Sequence, residues 1–369
     1  MKLPSPTSQI LESIENNFSN QYKKIRENIA LVAYSIIRSQ KVNTAEIARY
    51  MNEVNDLNFK ANDMKVYRLL SSKNFQVDDC LWRGYIRLFF KLIKKSGFDK
   101  KEPLFINVDY TTDTDDFLIL CASMRFQGQS IPLYFSMRKY PKRAGMFDQK
   151  KLEEAFFRAL HHLLPKGYQY TIVADRGFGN ERIITLLEEL DFDYVLRLND
   201  NLKYQGEPKI ESNLKELPHK NCLIPHAFIV KWHREITVVK RVQEGESWIL
   251  ATSQPFDSSS KTGQIYEGRF SIEKMFKNKK SGGFDLEKLK IEKYDRFKRL
   301  LFISCIAYTI MIFTGIKANN YSHSLKKKLF PSSKKTFKKT FSIFTLIRKI
   351  INHFNEKALQ FIHRILQLE

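Results

Sequence analysis

The sequence lacks the residue patterns that identify several common classes of protein. Its four cysteines, Cys80, Cys121, Cys222 and Cys305, are far apart and form no CxxC or other metal-ligand spacing. It has no phosphate-binding glycine loop with a following lysine and no Ser-His or Cys-His pattern of a covalent nucleophile. These absences argue against a zinc ribbon, a nucleotide-hydrolysing domain and a protease-type enzyme. Widely spaced cysteines are typical of reduced thiols in a cytosolic protein.

Long apolar runs are also scarce. The first 21 residues contain no apolar stretch of the kind found in signal peptides, so no secretion is expected. One apolar run, LLFISCIAYTIMIFTG at 300–315, is shorter than the roughly 18 residues that cross a bilayer. It is also interrupted by Ser304, Thr309 and Thr314. This run predicts a buried core helix and no membrane span.

Acidic residues are far fewer than basic residues. The 369 residues include 62 Lys and Arg against 40 Asp and Glu, which leaves a formal charge of +22. This excess favours a polyanionic partner such as nucleic acid, with an anionic membrane surface as the competing partner. Positive charge is dense at the C-terminus, in SLKKKLFPSSKKTFKKTF, for which we expect nonspecific binding to a DNA backbone. The amphipathic segment that follows could pair two subunits or pack within one chain. Residues 321–369 are therefore interpreted as a basic helical C-terminal region.

Residues 1–98 have a helical pattern with almost no glycine or proline after Pro6. Two short helices, VNTAEIARYMN and KANDMKVYRLLSSKNF, flank a polar connection, and Thr44 is a candidate N-cap of the first. In the second helix Lys65, Tyr67 and Arg68 are expected to face outward. This pattern suits a helix-turn-helix DNA reader, so residues 1–98 are interpreted as a DNA-binding region. A plain helical bundle with a basic surface is the alternative.

The pattern changes to strands after Pro103. Three strand-like segments, LFINVDYT, DFLILCASMRF and SIPLYFSMRKY, predict an antiparallel meander. A helix, the strand QYTIVAD, a second helix and the strand DYVLRL follow. This order is that of a ribonuclease-H-like α/β fold, with a mixed five-stranded sheet flanked by helices. We assign this catalytic domain to residues 99–320, interrupted by a β-rich insertion at 199–248.

Acidic residues follow two of these strands. Asp109 is predicted to end the central strand INVD and Asp175 to end TIVAD, so both carboxylates would emerge at one edge of the sheet. Glu273 could approach from a helix packed alongside. Three carboxylates from three elements could hold two divalent ions for phosphoryl transfer. An aspartate after a strand also commonly begins a turn or caps a helix, and 113–116 adds loop acids of undecided role.

One segment, YEGRFSIEKMFKNKK at 266–280, has an unusual spacing of functional groups. On a single helix Tyr266, Arg269, Glu273 and Lys280 would share a stripe about 60° wide. A solvated charged face with an Arg269–Glu273 pair is the simpler interpretation. Gly268 is a poor helix former and weakens the case for one continuous helix.

The segments INVDYT, IVADRGFG and Y-x-x-R-x-x-x-E-x-x-x-x-x-x-K resemble the three acidic regions of DDE transposases. They are most similar to the insertion-sequence-four family, whose signature has these four residues at these intervals. The resemblance covers roughly residues 100–315. It implies that Asp109, Asp175 and Glu273 are the metal-binding catalytic triad, with a two-metal Mg²⁺ site that also accepts Mn²⁺.

The resemblance further implies that Tyr266, Arg269 and Lys280 grip phosphates of the element's ends. Trp232 in the insertion is a candidate stacking platform for a flipped base, with sheet packing as the alternative. Arg176 contacts DNA or pairs with a neighbouring carboxylate. The implied partners are double-stranded DNA, as terminal inverted repeats and as target, and a second subunit in a synaptic homodimer.

We therefore expect a cut-and-paste DNA transposase that cleaves strands and transfers 3′-hydroxyl ends, located in the cytosol with the nucleoid. The alternatives are a catalytically silent DNA-binding derivative of such an enzyme and a membrane-surface protein that uses the lysine-rich tail.

Overall fold

The computed structural model describes most of residues 12–351. Its gaps are at 13, 15, 20, 56, 99–101, 113–116, 141–147, 206–210, 219, 244, 254–258, 281–282, 290 and 321–342. The loop acids at 113–116 and the lysine-rich part of the tail therefore lie outside the described residues.

Between residues 23 and 95 the described chain forms four helices, and three of them begin at an amide or carboxylate cap. They are α1 Lys23–Ser39, α2 Thr44–Met51, α3 Phe59–Ser71 and α4 Asp79–Lys95. The Asn43 side chain accepts the backbone N–H of Ala45 at 2.9 Å, so Asn43 caps α2. The prediction that Thr44 is the cap is wrong, because Thr44 is the first helical residue. Side-chain oxygens of Asn58 and Asp78 cap α3 and α4 in the same way.

The predicted meander is confirmed as β1 Leu104–Thr112, β2 Phe117–Phe126 and β3 Gln129–Lys139, each antiparallel to the next. Gln127 and Gly128 connect β2 to β3, and both have positive φ angles, 45° and 74°. Two successive residues of this kind form the tight turn whose twist matches that of the flanking strands.

Two helices and two strands then alternate along the chain. They are α5 Gln149–Leu163, β4 Tyr170–Ala174, α6 Glu181–Glu189 and β5 Asp193–Arg197. Strand β4 is parallel to both β1 and β5, so β1 lies between an antiparallel and a parallel neighbour. Side chains alternate along β1. Asn107 and Asp109 therefore share one face, while Tyr110 lies on the other and donates its hydroxyl to Glu153 of α5.

The predicted β-rich insertion does not form a separate layer. Its strands are β6 Lys203–Gln205, β7 Glu211–Asn213, β8 Cys222–Ile229, β9 Arg234–Gln243 and β10 Glu246–Thr252. Strand β10 returns antiparallel to β5, with Leu250 opposite Arg197. The result is one ten-stranded sheet in the order β3-β2-β1-β4-β5-β10-β9-β8-β6-β7. The expectation of a five-stranded sheet is corrected to ten strands. The sheet continues because β10 pairs with the side of β5 that would otherwise be a free edge.

Three helices follow the sheet: α7 Ser259–Glu267, α8 Phe270–Lys280 and α9 Tyr294–Asn320. Helix α9 contains the apolar run and is long and apolar enough to cross a membrane, but 94% of its most apolar window is buried inside the protein. This burial agrees with a core helix.

The helical segment 343–351 packs against the end of α9. The Phe344 ring stacks on Tyr308 at 5.3 Å, and Ile347 is fully buried. Arg348 donates to the side chain of Gln40 at the end of α1. This part of the predicted C-terminal region is therefore built into the core, which favours packing within one chain.

Candidate catalytic site

Asp109 and Asp175 lie at neighbouring positions of two parallel strands. The β1–β4 ladder ends with Val108 opposite Ala174, and the next residue on each side is an aspartate. The prediction that Asp109 ends its strand is wrong, since β1 continues for three residues and pairs with β2 as far as Thr112. Only β4 stops here. Its end leaves open space beside Asp109, as the carboxyl ends of parallel strands do.

Asp175 also begins a turn. Its Oδ1 accepts the N–H of Gly177 at 3.0 Å, and its carbonyl accepts the N–H of Phe178 at 3.1 Å. The turn interpretation of this aspartate is thus confirmed, and the turn fixes the direction of its carboxylate. Asp175 is partly exposed.

Arg269 connects the first acid to the third. Its guanidinium donates to Asp109 Oδ2 at 3.1 Å and to Glu273 Oε1 at 2.8 Å. The arginine side chain is only 8% exposed, whereas that of Glu273 is 52% exposed. Glu273 therefore approaches Asp109 from α8 through a buried cation. The expected Arg269–Glu273 pair is present, but it is part of this larger bridge.

The pKa of Asp109 reflects its burial and the charges of three neighbouring side chains. Burial raises the pKa of Asp109 to about 6. The Arg269 guanidinium opposes this shift, and the negative charges of Asp175 and Glu273 add to it. Removal of this carboxylate from water thus favours its neutral form, and the neighbouring acids increase that preference.

Asn107 holds α8 against β1. It lies two residues before Asp109 on the same face, is fully buried, and donates to the carbonyl of Gly268 at 3.2 Å and to Ser271 Oγ at 3.1 Å. Ser130 of β3 joins the same network, 2.8 Å from Ser271 Oγ. These bonds use the amide N–H groups of Asn107, whose buried Oδ1 has no hydrogen-bond partner among the described residues, and they fix the helix that carries Glu273.

The four residues of the spaced segment do not share one helix face. Helix α7 ends at Glu267 and α8 begins at Phe270, so the helical conformation is interrupted at Gly268 and Arg269. A Cβ on Gly268 would overlap the guanidinium of Arg125, which explains why a glycine stands at the break. The prediction of a single stripe is wrong for this reason.

Tyr266 is consequently buried rather than exposed. It is 1% exposed and packs its ring 5.3 Å from Trp248. Burial raises the pKa of its hydroxyl, against the effect of Arg269 and Arg197. The guanidinium carbon of Arg269 lies 5.7 Å from the Tyr266 ring, so this tyrosine contacts the bridging arginine and not the solvent.

The other predicted DNA contacts have different surroundings. Lys280 is the last residue of α8 and lines a small cavity with Thr111, two residues beyond Asp109 on β1. Trp232 is 7% exposed and belongs to the main apolar core, so its placement corrects the expectation of an open stacking platform. Arg176 is 47% exposed and pairs with Asp200 at 3.2 Å, the second of its two alternatives.

Sequence reasoning missed three residues near the site: Asn107, Arg125 and Arg197. An asparagine inside the apolar strand LFINVD was a usable signal, because a buried amide requires hydrogen-bond partners. Arg125 and Arg197 carry no such signal, since their proximity to Gly268 and Tyr266 depends on strand pairing and on the docking of α7.

The donor set suits a hard divalent cation, but it is not gathered into a cage. Among the described residues, no three His, Cys, Asp or Glu side chains stand close enough together to hold a metal ion. Asp109 and Asp175 follow paired positions of β1 and β4, Glu273 shares Arg269 with Asp109, and carboxylate oxygens are the preferred ligands of Mg²⁺. In this arrangement, Arg269 supplies the positive charge that Asp109 and Glu273 share.

Residues 139–310 match the family model of the transposase DDE domain, and this match supports a DDE transposase. The match includes Asp175 and Glu273 and begins after Asp109. Among solved structures, the chain is similar to endonuclease V of Ciona intestinalis, crystallised with a 24-mer DNA that contains an inosine followed by a ribo-adenosine. The two chains are 13% identical, the alignment covers 54% of this chain and 99% of that one, and the TM-score is 0.28. No curated protein matches the chain.

Proposed function

We propose that this protein is a cut-and-paste DNA transposase of the insertion-sequence-four family. It would cleave DNA at the inverted ends of its own element and join the released 3′-hydroxyl ends to target DNA. The observation that carries the proposal is the adjacency of Asp109 and Asp175 at the end of β4, with Glu273 tied to Asp109 by one guanidinium. The family match and the spacing of Tyr266, Arg269, Glu273 and Lys280 support it.

In this proposal Asp109, Asp175 and Glu273 would hold two Mg²⁺ ions, for which Mn²⁺ can substitute. When bound, the ions supply Lewis-acid activation of the attacking oxygen and stabilise the charge that develops on the phosphate. The three acids come from β1, from the turn after β4 and from α8, so the sheet and one docked helix set their positions. Asn107 is a positioning residue, because it fixes the start of α8.

Arg269 has two roles in this scheme. Without metal and DNA it neutralises Asp109 and Glu273. Its planar fork would also suit a DNA phosphate, to which the guanidinium could pair in place of Asp109 and Glu273. Lys280, at the other end of α8, supplies a second cation along the same helix. Tyr266 packs beneath Arg269 and limits where the guanidinium can move.

The remaining parts of the proposal concern organisation. The first five strands, ordered β3-β2-β1-β4-β5 with β1, β4 and β5 parallel, support a ribonuclease-H-like catalytic core within the larger sheet. We assign DNA binding to the helices of 1–98, catalysis to 99–320 with its insertion at 199–248, and further backbone binding to 321–369. A homodimer on two element ends and a cytosolic, nucleoid-associated location complete the scheme.

The test is a nicking assay on duplex DNA in the presence of Mg²⁺ or Mn²⁺. Asp175→Asn and Glu273→Gln should bind duplex DNA as the wild type does and should lose metal-dependent cleavage, by at least about a thousandfold. Glu235→Gln, on β9, is a matched control and should cleave normally. Full cleavage by the Asp175 or Glu273 variant would remove the metal role, and a wild type that binds but never nicks would identify a catalytically silent DNA-binding protein.

A further inference from the structure

A cationic cleft lies between the start of α1 and one side of α3. Its residues are distant in sequence from Asp109, Asp175 and Glu273. Its volume is about 930 Å³, and its walls include Lys24 from α1 and Lys60, Lys65 and Arg68 from α3. No Asp or Glu is present among the described residues that line it. Four cations and no acids in one cleft produce a local field that attracts a polyanion.

These four cations differ from other basic residues of the same helices. Arg38 pairs with Glu53, and Arg49 pairs with Glu46. Within the part of the chain that the structure describes, no ion pair involves a cation of the cleft. Their charge is therefore not neutralised by neighbouring side chains.

The exposed side of α3 has the spacing of a helix that enters a groove. Lys60, Met64 and Arg68 follow one another at intervals of four residues, which places them on one stripe, and Lys65 lies on the flank of this stripe three residues before Arg68. Met64 is 41% exposed, so the stripe combines cations with an accessible apolar side chain. Such a stripe suits the DNA major groove, where cations meet guanine and phosphate and apolar groups meet the thymine methyl.

The helix that carries this stripe is held rigidly. Asn62 is fully buried and donates to the carbonyl of Leu57 at 3.2 Å and to Asn55 Oδ1 at 3.0 Å, which fixes the connection that precedes α3. At the other end, Arg299 of α9 donates to the carbonyl of Leu70 at 2.8 Å. Because α9 is also packed against β3, α3 keeps a fixed orientation relative to the sheet.

The far side of α3 has a different character. There Tyr67 receives a hydrogen bond from Arg296 at 2.7 Å, and Asp63 and Glu292 line a separate cavity. This side contacts α9 and contains acids. Only the side facing the cleft is both open and exclusively cationic among the described residues.

We infer that α3 is the helix that reads duplex DNA, with its Lys60–Arg68 stripe in the major groove and Lys24 on the flanking backbone. The inference rests on the proposed function for the identity of the occupant, and it deepens that function by assigning the recognition surface. The connection between α2 and α3 spans 52–58 and is longer than the usual helix-turn-helix turn. The assignment therefore depends on the exposed charges of α3 rather than on the motif.

The test compares two double variants of the full chain. Lys65→Ala with Arg68→Ala removes two cations of the cleft, whereas Lys91→Ala with Lys94→Ala removes two exposed cations of α4 outside it. Binding to a short mixed-sequence duplex is measured by fluorescence anisotropy over a range of salt concentrations. The cleft variant should bind at least about tenfold more weakly, with a salt slope reduced by about two, and the control should match the wild type.

Selection from a randomised duplex library separates recognition from simple attraction. The wild type and the α4 control should enrich one sequence, and the cleft variant should enrich none. Mn²⁺-dependent nicking by the cleft variant at saturating protein concentration should persist. Equal enrichment by the cleft variant would overturn the inference. So would loss of binding to phosphatidylserine vesicles with unchanged DNA binding, which would identify a membrane surface. Nicking by Glu273→Gln would contradict the proposed chemistry and leave the recognition surface standing.

Discussion

A single buried guanidinium joins two of the three acidic residues. Arg269 contacts Asp109 and Glu273, stacks 4.9 Å from the Phe270 ring centroid, and leaves little of its side chain in water. A cation in this position relieves the repulsion between carboxylates that would otherwise oppose folding. It also stands where a divalent ion would have to approach two of its ligands.

This geometry predicts that Arg269 competes with metal. Arg269→Ala should bind Mn²⁺ about tenfold more tightly than the wild type in the absence of DNA, because no charged hydrogen bonds need to be broken. Electron paramagnetic resonance of free Mn²⁺ at pH 8, where Asp109 is ionised, measures this affinity without any need for activity. Arg234→Ala, which breaks an ion pair with Glu188 away from the site, is the control. A weaker or unchanged affinity in Arg269→Ala would show that the guanidinium is not the competitor.

The raised pKa of Asp109 predicts a pH dependence of stability. Its pKa is about 6 in the folded protein, above the ordinary aspartate value of 3.8, so the folded state holds the proton more tightly than the unfolded state. The resulting stability is fully present below about pH 4 and is lost as pH rises through 6. Relative to Asp109→Asn, the metal-free wild type should lose up to about 3 kcal/mol of unfolding free energy between pH 4 and pH 8.

Urea unfolding of both proteins across this range measures the difference. Parallel curves for the two proteins would mean that Asp109 titrates normally. Added Mg²⁺ should reverse the wild-type loss at high pH, since a bound cation stabilises the ionised carboxylate.

At this scale the sequence predicted that Asp109 and Asp175 lie beside neighbouring strands, but it did not predict the surroundings of the aromatic residues. Asp109 and Asp175 could be proposed because each follows apolar residues that form a strand. Burial of Tyr266 and Trp232 could not be predicted, because an aromatic residue in a basic segment suits both a DNA contact and a core. The cores that enclose them are assembled from β9, β10 and other elements distant in sequence.

Among the secondary-structure elements, the break between α7 and α8 positions Glu273. The carbonyl of Gly268 accepts from Asn107, and the missing side chain of Gly268 leaves room for the Arg125 guanidinium. Arg125 in turn lies 3.5 Å from the carbonyl of Ile265 near the end of α7. The glycine therefore lets the chain turn between α7, which packs on β4, β5 and β9, and α8, which packs on β1 and β3.

Gly268→Ala should destabilise the protein by about 1–3 kcal/mol, because the added methyl group overpacks this junction. It should also reduce cleavage more than DNA binding, since α8 carries Glu273. In an Arg125→Ala background the same substitution should cost less than half as much, because the clashing guanidinium is gone. A double-mutant cycle of chemical unfolding measures this coupling. An equal loss of unfolding free energy in both backgrounds would show that the strain does not come from contact with Arg125.

Element boundaries show what local sequence can and cannot predict. The meander, α5, α6 and the strands β4 and β5 were predicted from periodicity and from turn residues such as Gln127 and Gly128. The pairing of β10 with β5 was not predicted, because the sequence of an edge strand resembles the sequence of a strand inside a sheet. The same limit applies to Asp109, whose strand ends late only because β2 remains paired with it.

For the whole molecule, two groups of basic residues are candidates for DNA binding, the cations of the cleft beside α3 and the lysines of the tail. The cleft beside α3 is part of the folded core, whereas the seven lysines of the tail lie outside the described residues. Segment 343–351 lies between that tail and the end of the chain and buries Phe344 and Ile347. Deletion of 321–369 would remove these core residues together with the lysines, so a loss of DNA binding would be ambiguous.

Substitution of the tail lysines by glutamine separates charge from folding. The positions are Lys326, Lys327, Lys328, Lys334, Lys335, Lys338 and Lys339. The substituted protein should keep the thermal unfolding midpoint of the wild type, and its DNA affinity should depend less on salt. Each lysine that neutralises a phosphate contributes about 0.9 to the logarithmic slope, so several contacts should lower it by several units.

Sequence preference should survive in this variant, because the lysines supply attraction without base contacts and the α3 stripe is intact. Library selection and salt titration of the same protein therefore test whether the tail supplies nonspecific attraction while α3 reads the bases. An unchanged salt slope would assign nonspecific binding to the folded part of the chain. A lost sequence preference would make the tail part of the recognition surface and would contradict the assignment of base reading to α3.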